Sequence, residues 1–180
     1  MKSNDNIEQQ CRHWVDTMVV GLNLCPFAKR AIDCQGVRYR IFDGPLDHLA
    51  DAFIAELQLL DAEPRIETTL LVISQGLDDF MDYLDILDGA NAMLDELGYA
   101  GTYQIASFHP HYQFEGTLPE DPSNYTNRAP YPILHLLREE SMEKAIDAYG
   151  RERAEQIPDN NIERLESLDI DSIRQLLGRF

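Results

Sequence analysis

Apolar residues recur at two different spacings over the first 108 residues, and these spacings predict the elements of the fold. Steps of three and four residues predict helices over residues 4–20, 45–60 and 78–97. Short β-branched and aromatic runs predict strands over residues 37–42, 68–74 and 102–108, the second of which is apolar enough to be covered on both faces. This alternation predicts an α/β (or α+β) fold with a small sheet of three to four strands and helical crossovers, and leaves the strand directions open.

The pattern changes after Phe108. Residues 108–132 contain five of the nine prolines, and residues 99–132 contain seven of the sixteen aromatic residues. We therefore expect residues 109–131 to form a long irregular loop, and long ordered loops are often functional. Residues 132–180 are predicted to be helical, with helices over residues 132–149, 151–156, 161–167 and 170–178, the last capped by Asp169 or Asp171.

Length and composition narrow the class of protein. With 180 residues and 44% apolar residues, residues 1–180 suit one domain with a real core. The net charge of −17 argues against non-specific electrostatic binding to nucleic acid or to an anionic membrane. The chain has no apolar run of 18 residues, its start is polar, and its three cysteines form no CxxC pair. These features predict a soluble protein of a reducing cytoplasm.

The negative charge is concentrated in one segment. Residues 43–98 hold 14 acidic residues and one basic residue. We expect them to form solvated helix faces, since the alternative of a divalent-cation cradle lacks the spacing of an EF-hand loop. The stretches in and next to the candidate site residues instead supply four basic residues, namely Lys29, Arg30, Arg128 and Arg138. This distribution predicts an acidic body around a locally cationic, aromatic pocket, and hence a small anionic ligand.

Three segments carry the unusual residues: residues 21–27, 108–112 and 127–138. In the first, Cys25 precedes a proline that is suited to open a helix. A helix N-terminus lowers the pKa of a thiol and favours the thiolate, which is both a nucleophile and a metal ligand. The alternative is that Cys25 is a small buried apolar residue.

In the second segment, His109 and His111 stand at the end of a predicted strand, where open α/β sheets bind ligands. Residues two apart on an extended chain face one way, so both rings are candidates for one metal ion. A turn at Pro110 would remove this arrangement, and each histidine would then serve as a hydrogen-bonding group of the loop.

In the third segment, His135 and Arg138 are one turn apart on the predicted helix and so share a face. His135 near the helix start should stay neutral, as a general base or metal ligand, and Arg138 should hold a carboxylate or phosphate. The alternative is a capped, half-buried histidine beside a surface ion pair. Further candidates for binding or orienting a ligand are Asn23, Tyr112, Asn127, Arg128 and Tyr131.

Taken together, the segments resemble the domain of unknown function 1415 family over about residues 5–178. The resemblance rests on Gly-Leu-Asn-Leu-Cys-Pro-Phe, on Phe-His-Pro-His-Tyr-x-Phe and on Asn-Arg-Ala-Pro-Tyr-Pro-x-x-His-Leu-Leu-Arg-Glu. It implies a single-domain, bacterial-type soluble protein, and it implies no reaction and no catalytic residues.

These observations favour an enzyme that acts on a small anionic molecule through a Cys/His/Arg pocket, in one of two forms, and leave a non-catalytic binding module as the alternative. The first is an enzyme in which Cys25, His109, His111 and His135 bind a transition metal such as Zn or Fe, while Arg128 and Arg138 hold an anionic group that Asn23 or Asn127 orients. The second is a metal-free thiol enzyme with Cys25 as nucleophile or redox thiol and a histidine as its base. The third is a non-catalytic module that binds a small anion or a protein partner.

The chain has no GxGxxG, Walker, HExxH or GxSxG motif, so no nucleotide cofactor and no common hydrolase gains support. The alternative to all three functions is that the candidate site residues bind no ligand and only stabilise the irregular loop.

Overall fold

A computed structural model describes residues 3–177, in which four strands form one sheet. The strands are β1 (Val37–Phe42), β2 (Thr68–Ile73), β3 (Tyr103–Phe108) and β4 (Ile133–Arg138). Their order across the sheet is β1-β2-β4-β3, with β1 parallel to β2, and β4 antiparallel to both β2 and β3. The carboxyl ends of β1, β2 and β3 therefore meet the amino end of β4 at one end of the sheet, which we name the carboxyl end.

Helices cover both faces of this sheet. They are α1 (Asn4–Trp14, continued by a π-helical segment over Val15–Val20), α2 (Ala28–Asp33), α3 (Leu49–Ala62), α4 (Phe80–Glu96), α5 (Glu139–Tyr149), α6 (Arg151–Glu155), α7 (Ile157–Glu166) and α8 (Ile170–Leu177). The α/β class with its helical crossovers is thus confirmed. Of the two residues predicted to cap α8, Asp169 is the cap. Its carboxylate accepts a hydrogen bond from the Ser172 amide at 2.8 Å. Residue 178 lies outside the described residues.

One predicted element is wrong. Residues 133–138, expected to open a helix, form the strand β4, and α5 begins only at Glu139. On a strand, residues three apart point to opposite faces, so His135 and Arg138 do not share a face. His135 pairs across the sheet with Leu70 and Ala106 and is not near a helix start. The helix dipole therefore cannot be the reason for a neutral His135.

The sheet separates two apolar cores. Trp14 and Met18 pack with Ile133 on the face covered by α1, α7 and α8. Phe53 and Tyr83 pack on the other face, which α3 and α4 cover. All six residues of β2 are buried, as expected for a strand covered on both sides. No helix within residues 3–177 is long and apolar enough to cross a membrane.

Two successive threonines of β2 differ in whether their buried hydroxyl groups have a hydrogen-bond partner among the described residues. The Thr68 hydroxyl donates a hydrogen bond to the carbonyl of Leu136 and lies 2.7 Å from Nε2 of His135. Thr69 is fully buried on the opposite face, and its hydroxyl has no hydrogen-bond partner among the described residues. A buried hydroxyl without a partner destabilises the fold, whereas a paired one contributes to it.

We expect Thr69→Val to raise the free energy of unfolding by about 1 kcal/mol, because a methyl group replaces an unpaired hydroxyl. Thr68→Val, the matched control, should lower it by about 1–2 kcal/mol because two partners lose their bonds. Urea denaturation of the two variants and the parent measures both changes. Equal destabilisation by both substitutions would show that the Thr69 hydroxyl does have a partner.

Candidate functional site

A small cleft lies at the carboxyl end of the sheet, with a volume of about 130 Å³. It is lined by Ile73, Ser74, Gln75, Leu77, Asp78, Pro110, Pro130, Tyr131 and Pro132. The turn after β2, the start of the loop after β3 and the segment that leads into β4 supply these residues. Two of the three segments singled out by sequence therefore border the cleft, at the position where open α/β sheets bind ligands.

The polar groups of the cleft differ in how they are engaged. Gln75 donates to the carbonyl of Asp43 at 2.8 Å, and the Tyr131 hydroxyl donates to Oε1 of Gln10 at 2.6 Å. The hydroxyl of Ser74 and the carboxylate of Asp78 have neither a hydrogen bond nor an ion pair to any other residue between 3 and 177. These two groups are therefore open to a ligand, and sequence reasoning had selected neither.

His109 holds the wall of the cleft together. The ring is fully buried, and Nε2 lies 2.9 Å from the carbonyl of Leu77, which can only accept. Nε2 thus carries the proton, and Nδ1 accepts a hydrogen bond from the amide of His111 at 3.0 Å. Burial lowers the pKa of His109. His109 is therefore a neutral histidine with both nitrogens engaged, which joins the turn after β2 to the loop after β3.

The strand geometry does not continue through His111. The amide of Tyr112 donates to the carbonyl of His109 at 3.1 Å, so the chain turns here. His111 is exposed, and its ring centroid lies 5.8 Å from that of His109. The Tyr112 ring packs against Phe80 at 4.9 Å. The expectation that His109 and His111 present free nitrogens to one metal ion is wrong, because the backbone of His111 itself occupies the nitrogen of His109.

Two further candidates stabilise the loop over residues 109–131. Arg128 donates to the carbonyls of Tyr112 at 3.1 Å and Pro119 at 2.6 Å. Its guanidinium carbon lies 4.4 Å from the centroid of the Tyr125 ring. Asn127 donates to the carbonyl of Ser107 at 3.0 Å. Their polar groups are therefore engaged with this loop and the end of β3, not with an anion.

Asn124 has the largest role in the same loop, and sequence reasoning missed it. It is fully buried, and its Oδ1 accepts hydrogen bonds from the amide of Phe114 and the hydroxyl of Thr117, each at 2.9 Å. Its Nδ2 donates to the carbonyl of Leu118 at 2.8 Å. One side chain thus fixes three residues of the loop, because an amide offers both a donor and an acceptor.

His135 lies on the α1 face of the sheet, away from the cleft. Since the single proton of the Thr68 hydroxyl goes to Leu136, Nε2 of His135 donates to that hydroxyl and carries the ring proton. Burial lowers the pKa of His135 to about 4. The ring is neutral as expected, but burial is the cause.

The remaining cationic candidates lie at the other end of the sheet. Arg138 ends β4 and donates to the carbonyl of Ile66 at 3.1 Å, to the carbonyl of Leu60 and to the Tyr103 hydroxyl at 3.0 Å. Lys29 and Arg30 lie on α2, which adjoins the amino end of the sheet, and Lys29 forms an exposed ion pair with Asp33. The predicted convergence of basic side chains around one pocket is therefore absent from the described part of the chain.

Cys25 does not have the properties of an activated thiol. The backbone amides of Phe27 and Ala28 lower the pKa of Cys25 and so favour the thiolate, but burial outweighs them and raises the pKa. Asn23 is exposed and adopts a left-handed conformation with φ 55°, which fits a turn. The expected lowering of the Cys25 pKa is therefore wrong.

The predicted metal site is not assembled. His109 contacts the rings of Phe80 and Tyr83 on the α4 side, whereas His135 points to the α1 side of the same sheet. Within residues 3–177, no three side chains of His, Cys, Asp or Glu are grouped so that they could hold a metal ion.

Comparison with known proteins identifies the family of this chain. A family model described as "Protein of unknown function (DUF1415)" matches residues 6–175. Neither a curated protein nor a solved structure matches the chain.

Proposed function

Because this chain belongs to the DUF1415 family, whose description assigns no activity, we propose its function from its own residues. The protein is a non-catalytic binding module that takes up a small cationic group of the alkylammonium type in the cleft. One observation carries this proposal: the Ser74 hydroxyl and the Asp78 carboxylate have no protein partner in a cleft that is otherwise largely walled by Ile73, Leu77 and three prolines.

The size of the cleft limits the ligand. A water molecule occupies about 30 Å³ in the liquid, so 130 Å³ corresponds to about four waters. Sites for drug-sized ligands measure roughly 300–1,000 Å³. The cleft therefore suits a group as large as one side chain.

The charge of the cleft favours a cation over the predicted anion. Asp78 is the one charged residue among those that line it. Arg128 and Arg138, which were expected to hold an anion, donate to backbone carbonyls elsewhere. An anion in the cleft would face Asp78 without compensation, whereas an ammonium group gains an ion pair and its alkyl chain can contact the apolar walls.

The geometry supports the two predicted enzymes less than it supports a binding module. His109 has both nitrogens in hydrogen bonds, and a general base needs a free one. The raised pKa of Cys25 disfavours the thiolate that a nucleophile needs. The third predicted function, a binding module, needs neither group.

We expect n-butylammonium to shift the backbone amide resonances of Ser74, Gln75 and Asp78 in NMR titrations, with millimolar affinity. Burial of each methylene contributes about 0.8 kcal/mol, and a partly exposed ion pair adds about 1 kcal/mol at most. Asp78→Asn should therefore weaken binding about fivefold. Asp85→Asn on the exposed face of α4 makes the same charge change and should have no effect.

Two results would contradict the proposal. The first is that butyrate binds in the cleft as tightly as n-butylammonium, which would restore the anionic ligand. The second is that Asp85→Asn weakens binding as much as Asp78→Asn, which would reduce the effect to the overall charge.

A further inference from the structure

Among residues 3–177, three of the four exposed large apolar side chains belong to the start of α4 or to the loop after β3. The four exposed residues are Met81 at 66%, Leu97 at 46%, Phe114 at 36% and Leu118 at 76%. Met81 lies at the start of α4, and Phe114 and Leu118 lie in the loop after β3. Leu97 lies at the far end of α4.

A row of rings connects one of these side chains, Phe114, to the cleft. Phe80 follows the cleft residue Asp78 by two positions, and its ring lies 4.9 Å from that of Tyr112. The Tyr112 ring in turn lies 5.0 Å from that of Phe114. Leu118 belongs to the same folded loop, because Asn124 binds the backbone of both Phe114 and Leu118. The rings of Phe80, Tyr112 and Phe114 therefore form one continuous row beside the cleft, and Leu118 is held in the same loop by Asn124.

Most of the charges around this surface are negative, although Arg128 lies against the carbonyls of Tyr112 and Pro119. Residues 76–88 and 108–121 contain eight Asp and Glu residues and no Lys or Arg. One of the eight, Glu120, forms an ion pair with Arg174 at 2.8 Å. Apolar groups surrounded by acidic side chains attract a partner that is both apolar and basic.

We propose that this surface binds a basic, apolar-rich peptide segment of another protein. We name it the docking surface and define it by Asp78, Phe80, Met81, Tyr112, Phe114 and Leu118. One lysine or arginine side chain of the peptide enters the cleft, so this inference rests on the proposed function. The net charge of −17 makes a second copy of this chain or an anionic membrane a poor occupant, because each would bring further negative charge.

A fluorescent twelve-residue peptide of alternating lysine and leucine is the probe, and its anisotropy measures binding. We expect the double substitution Phe114→Ser/Leu118→Ser to weaken binding at least tenfold. Leu97→Ser removes an exposed leucine at the other end of α4 and should leave the affinity unchanged. None of these substitutions changes the net charge, so general attraction to an acidic protein cannot produce the difference.

The same variants separate the two proposals. Retained n-butylammonium binding shows that a variant is folded with an intact cleft. If the parent binds n-butylammonium and not the peptide, the docking surface is refuted and the proposed function stands. If it binds neither, both are refuted.

Equal weakening by Leu97→Ser, or equal binding of a peptide with glutamate in place of lysine, refutes the docking surface. So does a dimer in sedimentation that the double substitution dissociates, because a second copy is then the occupant.

Discussion

Replacing Asn124 by aspartate should release the loop that follows β3 while the sheet stays folded. The new carboxylate keeps an oxygen that accepts from Phe114 and Thr117. Its second oxygen, however, faces the carbonyl of Leu118, to which Nδ2 of Asn124 donates in the parent. A buried charge and a lost donor together destabilise this region by about 3 kcal/mol. We therefore expect the amides of Phe114 and Thr117 to exchange with solvent about 100-fold faster.

Hydrogen exchange followed by NMR measures this effect residue by residue. Asn160→Asp is the matched control, because Asn160 is exposed on α7 and the exchange is chemically identical. Amides of β2 should keep their protection in both variants. Unchanged exchange at Phe114 and Thr117 would show that other contacts, above all those of Arg128, order the loop.

Acidification should destabilise the protein through His135. Burial holds the pKa of its folded-state ring at about 4, while an unfolded chain has a value near 6.5. Between these values the unfolded state binds more protons, so the stabilising contribution is complete above pH 6.5 and is lost as the pH falls toward 4. The difference corresponds to about 3 kcal/mol. The lowered pKa of buried His109 acts in the same direction.

Urea denaturation of the parent and of His135→Gln at several pH values from 7 to 4 isolates this contribution. The free energy of unfolding should fall less steeply with acidification in His135→Gln, since glutamine does not titrate. His13→Gln, which replaces an exposed histidine of α1, should follow the parent. Identical slopes for the parent and His135→Gln would mean that His135 is protonated as easily in the folded chain as in the unfolded one.

The elements that the sequence predicted well are those with a distinct period. The strand over residues 37–42 has the predicted bounds, and β2 and β3 differ from prediction by one residue each. The strand β4 was missed because Ile-Leu-His-Leu-Leu-Arg contains one β-branched residue and three leucines, which are good helix formers, and because α5 follows without a break. Pairing with β2 and β3 on both sides overrides this local preference.

The candidate site was predicted in position more than in chemistry. The carboxyl end of the sheet follows from the strands, and Pro110 and Tyr131 from the unusual segments do line the cleft there. The roles of Arg128 and His109 were not predictable, because their partners are backbone carbonyls and amides that sequence does not reveal. The position of Asp78, shortly after the buried strand β2, was an available signal for a cleft residue.

Because β4 lies between β2 and β3, the sheet can form only late in the synthesis of the chain. On the described chain, β2 and β3 each pair with β4 and not with one another, so the sheet cannot close before residue 138 has been synthesised. Until then, one edge of the apolar strand β2 and the backbone of β3 have no partner strand, and such edges recruit other chains. At about 5–20 residues per second, the 30 residues from Phe108 to Arg138 take seconds to add. During those seconds a ribosome-bound chain exposes an unpaired strand edge of the kind that promotes aggregation.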